Sequence, residues 1–155
     1  MTAWRMRAAN ALALRFGLMR RSMTLGARAA AFDTAGRVLL VRHTYTPGWL
    51  LPGGGVERGE AADAAAAREL AEEGAVRLTA PLALFGLYWN RAGAGRDHVA
   101  LFVARAVRQP HPKTPDLEIA EARFFPLDAL PDDASRATRA RLDEIAGRAP
   151  ASAFW

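Results

Sequence analysis

The stretch W-L-L-P-G-G-G-V-E-R-G-E-A-A-D-A-A-A-A-R-E-L-A-E-E-G-A-V, from Trp49 to Val76, decides how the rest of the chain is read. It opens on a glycine turn, Pro52-Gly53-Gly54-Gly55, and a small acidic turn follows at Gly59-Glu60. Alanine, leucine, arginine and glutamate are strong helix formers, so the next run predicts a helix from about Ala61 to Glu73. At about 100° per residue, Glu69, Glu72 and Glu73 share an arc of roughly 100° on that helix. Carboxylates spaced i, i+3, i+4 stand side by side and repel one another. Taken alone, an E-x-x-E pair reads as a solvated acidic face. A cluster of three is relieved best by a cation, and an all-oxygen donor set suits a hard ion such as Mg²⁺, with Mn²⁺ as the alternative.

The longer spacing favours the cation. It follows G-x5-E-x7-R-E-U-x-E-E-x-G-U, where U is a bulky aliphatic, and Gly54, Glu60, Arg68, Glu69, Leu70, Glu72, Glu73 and Val76 all fit. This resembles the Nudix box of the Nudix hydrolase family. One position departs from it: Ala75 stands where the family has glycine. A left-handed residue usually ends a helix, and Gly74, one residue early, is expected to supply it.

The resemblance implies the Nudix fold, a mixed β-sheet sandwiched between α-helices, over roughly residues 24–147. It also implies metal-assisted hydrolysis of a diphosphate linkage. Carried over by position, Glu72 and Glu73 become principal metal ligands, with Gly53 offering its carbonyl where no side chain obstructs. Glu69 matches a third carboxylate, a ligand or a contributor to water activation. Arg68 and Glu60 read as supports: Arg68 can pair with Glu72 one turn on, and Glu60 with Arg68, which fixes the loop to the helix. A purely structural salt bridge is the competing reading for these two.

Nudix enzymes often take another acid from outside the box. The segment D-L-E-I-A-E-A-R-F-F offers Asp116, Glu118 and Glu121, and Glu118 is the expected extra metal ligand or general base. Tyr88, Trp89, Arg91, Arg96 and His98 bracket one glycine loop, as a base-stacking and phosphate-pairing rim would. Core packing for the two aromatics and ordinary surface charge for the arginines compete with that. His43 and His111 fall in no pattern. No serine lies in G-x-S-x-G, so serine hydrolysis has no support, and Gly53–Gly55 do not continue into G-K-[ST], so this is not a P-loop.

Composition bounds the rest. At 155 residues the chain suits one domain with a substantial core, and the absence of cysteine fits a reducing cytoplasm. The net charge of +5 is unevenly placed: residues 1–31 hold six arginines and no acid. Residues 1–23 are therefore read as a basic helical arm, and residues 24–155 as the Nudix domain. The uncharged run from Ala8 to Leu14 is too short to cross a bilayer. Packing on the domain, a homodimer contact, a transit segment and RNA binding are alternative uses of the arm.

In chain order the pattern predicts an α/β fold. Thr24–Phe32 and Arg37–Arg42 read as two strands of a hairpin, and Trp49–Leu51 as a short strand with Trp49 in the core. Strands follow at Leu82–Trp89, Asp97–Val107 and Ala120–Pro126, and a helix at Ala137–Gly147. The activity this points to is a divalent-metal-dependent pyrophosphohydrolase acting on a nucleoside diphosphate linked to another moiety. Nucleotide sugars, dinucleotides and nucleoside triphosphates are the substrate classes. RNA 5′-pyrophosphate removal and a non-catalytic nucleotide sensor are the alternatives.

Overall fold

The computed structural model describes residues 23–92 and 95–155. Along them run β1 (Thr24–Ala31), β2 (Val38–His43), β3 (Gly53–Gly55), α1 (Ala62–Gly74), β4 (Ala83–Asn90), β5 (Asp97–Ala104), β6 (Ile119–Phe125) and α2 (Arg136–Ile145). The expected arm lies outside the described residues, apart from Met23. No helix among the described residues is long and apolar enough to cross a membrane.

Four strands form a sheet in the order β3-β1-β5-β4. β1 and β5 are parallel, from Thr24 opposite Asp97 to Ala31 opposite Ala104, while β3 and β4 pair antiparallel on the outside. Alternation along the central strands divides the core in two. Ala27, Ala29 and Ala31 of β1, with Ala100, Phe102 and Ala104 of β5, meet Ala65, Ala66 and Leu70 of α1. The intervening Ala30, Phe32, Leu101 and Val103 pack with Leu142 of α2 and with Trp49. A mixed sheet thus lies between two helices. Alanine is a weak strand former, but small side chains on both surfaces let α1 sit close against the sheet. Leu70, fully buried, anchors it, a burial that stabilises by roughly 1.5–3 kcal/mol.

The expected β1–β2 hairpin does not form. β2 pairs with β6 in a separate two-stranded sheet, and only Phe32 and Val38 bridge the two segments. Both edges of β1 are already taken, by β3 and β5, so β2 has no ladder to join. The turn between them is real: Asp33 Oδ1 accepts the N–H groups of Ala35 and Arg37, each at 2.9 Å.

The end of α1 also differs from expectation. Ala75 itself takes the left-handed conformation, φ 52° and ψ 34°, while Gly74 stays in the helix. Gly74 is small for another reason: a Cβ there would lie 2.5 Å from Leu39 Cδ2. Close packing of α1 on β2 fixes the glycine, and the strained turn falls on the alanine behind it.

Candidate active site

Three elements meet at the glycine turn. Gly53, Gly54 and Gly55 pair with Arg28, Ala27 and Gly26 of β1, so the turn is itself a short edge strand. Gly53 has φ 144°, and a Cβ on it would stand 2.1 Å from the Ala27 carbonyl oxygen. A Cβ on Gly54 would meet Glu69 Oε1 at 2.4 Å. Bare backbone therefore lies directly against the carboxylates of α1.

Glu73 is the buried member of that face, 4% exposed. Its Oε2 accepts the Gly53 N–H at 2.8 Å, and its Oε1 lies 3.3 Å from His43 Nε2. Burial pushes its carboxyl up to about 7, and the charges of Glu69 and Glu118 act the same way; the Gly53 N–H and Arg28 oppose the rise. Burial, with Arg28 nearby, holds the His43 imidazole below its usual value against the pull of Glu118.

Arg68 ties the rest together. Its Nε donates to Glu60 Oε1 at 3.0 Å, and its Nη1 to Glu69 Oε1 at 2.8 Å and Glu72 Oε2 at 3.3 Å. Nη2 reaches Glu60 Oε2 at 3.2 Å and the Gly55 carbonyl at 3.3 Å. Hydrogen bonds donated to Glu60 first, then to Glu69, hold the guanidinium charged, and Arg68 in turn keeps Glu60 below the usual carboxylate range. One side chain thus fastens the acidic turn, the glycine strand and two helix carboxylates. The Glu72 side chain, 61% exposed, is the outermost of the three helix acids.

Glu118 arrives from the loop before β6. One ligand atom each from His43, Glu73 and Glu118 falls within 4.8 Å of the others. The pairing of β2 with β6 steps from Arg42–Glu121 to His43–Ile119, which makes Ala120 the extra residue of a bulge beside the site. Asp116 pins this loop by accepting the N–H groups of Glu118 and Ile119, and its carboxyl is lowered to about 2, first by the Ile119 N–H. The Tyr45 hydroxyl donates to Glu118 Oε1 at 3.0 Å. Glu121 pairs with Arg123 instead.

The expected substrate rim is not one surface. Tyr88 is 2% exposed, and its hydroxyl donates to Glu144 Oε2 at 2.8 Å, beneath Arg141. It belongs to the core, because alternation turns it to the α2 side of β4. Trp89 points the other way and meets the Phe154 ring at a tilt, centroids 5.9 Å apart, and Arg91 lies 4.1 Å over Phe154. Arg96 is exposed, and its carbonyl accepts the Thr24 N–H. His98 lines an apolar cleft of about 400 Å³ with Leu25, Leu84, Leu87, Phe102 and Ala62, the last on the first turn of α1.

His43, Arg28 and Tyr45 had no motif to mark them. A signal existed for His43: the alternation that sends Leu39 of β2 toward α1 sends His43 the same way. Arg28, one of the six arginines of residues 1–31, sits on β1; its Nη1 donates to the Leu51 carbonyl at 2.9 Å, and its chain passes where a Gly53 side chain would be.

The buried Glu73 Oε1 lies beside imidazole nitrogens that have no hydrogen-bond partner among the described residues, with the exposed Glu118 carboxylate opposite, an arrangement that fits a divalent cation. Residues 23–144 match the model of the NUDIX domain. A Mycobacterium tuberculosis (strain CDC 1551 / Oshkosh) protein named MutT4 is 32% identical over 129 residues, 81% of this chain and 48% of that protein. The chain thus spans about half the length of that relative. A MutT NUDIX hydrolase from Burkholderia pseudomallei superposes with a TM-score of 0.67 at 27% identity, over 80% of this chain and 98% of its own. A NUDIX hydrolase from Nitrosomonas europaea shares the fold at TM-score 0.67 and 23% identity, over 86% of this chain and 77% of its own. So does the NUDIX domain of Shewanella oneidensis NrtR complexed with ADP ribose, at TM-score 0.64 and 21% identity, over 82% of this chain and 88% of its own. The box, the sandwich and the matched family model together make this chain a member of the NUDIX family.

Proposed function

We propose that the chain hydrolyses the phosphoanhydride of a nucleoside diphosphate linked to another moiety, using Mg²⁺ or Mn²⁺ held by Glu69, Glu72, Glu73 and the Gly53 carbonyl. The observation that carries this is Glu73: a buried carboxylate with one oxygen fixed by a backbone N–H and the other left beside His43, within reach of Glu118. A divalent ion there would screen the phosphate oxygens and acidify an attacking water. Glu118, exposed and hydrogen-bonded by Tyr45, would serve as a further ligand to that ion or take the proton from that water. Arg68 keeps Glu69 and Glu72 aimed while it neutralises their repulsion. The ADP ribose bound by the NrtR domain supports a linked nucleoside diphosphate as the substrate class. We assign residues 1–23 as a basic extension of the catalytic domain.

The test is incubation with Mg²⁺ and a panel of nucleotide sugars, dinucleotides, nucleoside triphosphates and triphosphorylated RNA, with product identification. Release of a nucleoside monophosphate from a linked diphosphate is expected. Cleavage of RNA ends alone, or ligand binding without turnover, would replace this reading.

A further inference from the structure

His43 brings the site a donor that the carboxylate motif does not contain. The imidazole is 8% exposed at the end of β2, and neither ring nitrogen has a hydrogen-bond partner among the described residues. A buried polar group left unsatisfied is costly to the fold unless something absent from the protein itself meets it. Its Nε2 nonetheless stands 3.3 Å from Glu73 Oε1, outside hydrogen-bonding geometry. Two donors each about 2.1 Å from a shared ion lie roughly 3.0 Å apart at a right angle and about 3.4 Å apart at the tetrahedral angle. The observed separation falls between these. Glu118, on an exposed loop, supplies a third atom within 4.8 Å.

We propose that His43 is itself a metal ligand, forming with Glu73 and Glu118 a mixed nitrogen–oxygen pocket that prefers a borderline transition ion such as Co²⁺ or Zn²⁺ to Mg²⁺. Imidazole nitrogen suits those ions, whereas Mg²⁺ selects oxygen. The inference rests on the divalent-metal reading above and adds a donor and a selectivity to it. A histidine that merely orients Glu73 is the competing role, but the Gly53 N–H already does that.

The experiment uses the full chain. Mn²⁺-loaded protein is measured by pulsed electron paramagnetic resonance for ¹⁴N coupling, and Co²⁺ and Mg²⁺ affinities are titrated separately for wild type, His43→Gln and Glu118→Gln. The proposal expects ¹⁴N coupling in wild type and its loss in His43→Gln. It also expects Co²⁺ affinity to drop at least about tenfold in His43→Gln, since even a neighbour of a ligand is worth that much, with a smaller change for Mg²⁺. Should His43→Gln fail to fold, the wild-type spectrum and a similar Co²⁺ loss in Glu118→Gln still decide. Bound Mn²⁺ without nitrogen coupling, or equal losses for Co²⁺ and Mg²⁺, overturns the His43 assignment and leaves the hydrolase reading intact. Failure to bind any divalent ion overturns both.

Discussion

The Gly53 N–H donates to Glu73 Oε2 at 2.8 Å, joining the glycine strand to α1 across twenty residues of sequence. One carboxylate oxygen is fixed by backbone, and the other, Oε1, is the one proposed to meet the metal. Glu73→Gln separates these two jobs, because the amide oxygen can still accept from Gly53. Turnover is expected to fall by about 10²-fold or more with circular dichroism unchanged. Steady-state kinetics at saturating Mg²⁺ checks it.

The acidity of Glu73 makes stability depend on pH in a definite direction. Its carboxyl rises from an ordinary 4.5 to about 7, so the folded chain holds this proton more tightly than the unfolded chain. The stability it contributes is complete below about pH 4.5 and is lost as pH climbs through about 7. In EDTA, thermal melts of wild type should drop relative to Glu73→Gln between those limits. Divalent metal needs the ionised form, so the stabilisation that added Mg²⁺ confers should grow over the same interval.

At the end of α1 two substitutions should move stability oppositely. Ala75 occupies left-handed space at a cost of about 1–2 kcal/mol, so Ala75→Gly is expected to stabilise by about 1 kcal/mol once its unfolded-state entropy is counted. Gly74→Ala drives a Cβ into Leu39 and should destabilise by about 1–3 kcal/mol. Urea unfolding midpoints measure both.

Arg68 reaches three carboxylates through a planar fork, which lysine lacks. Arg68→Lys keeps the charge but loses the simultaneous contacts to Glu60, Glu69 and Glu72. A decrease of about tenfold in kcat is expected with a smaller change in KM, the pattern of misaimed ligands. Kinetics with varied Mg²⁺ should also show a raised metal requirement.

The helix Ala62–Gly74 was legible to within a residue, because its composition and its carboxylate spacing say the same thing. The strands were legible from apolar runs, but their pairing was not: alternation reports which face is buried, never which edge is free. Hence β1 and β2, neighbours in sequence, lie in different sheets. Glu118 is proposed because the resemblance calls for an acid outside the box and the segment entering β6 is rich in them, with Asp116 and Glu118 before the strand and Glu121 within it. His43 and Arg28 reach the site through packing between elements far apart in sequence, and a lone histidine or arginine carries no spacing to mark it. Tyr88 and Trp89 show the limit on the substrate side, since adjacent strand residues face opposite ways.

The most direct test of the account is a crystal structure with Mn²⁺ and a non-hydrolysable linked nucleoside diphosphate, the ion located by anomalous scattering. The ion should lie within about 2.5 Å of Glu73 Oε1 and touch the diphosphate, with Glu69 and Glu118 closing around it. An ion bound elsewhere, with the Glu73 oxygens still facing only His43 and Gly53, would contradict it.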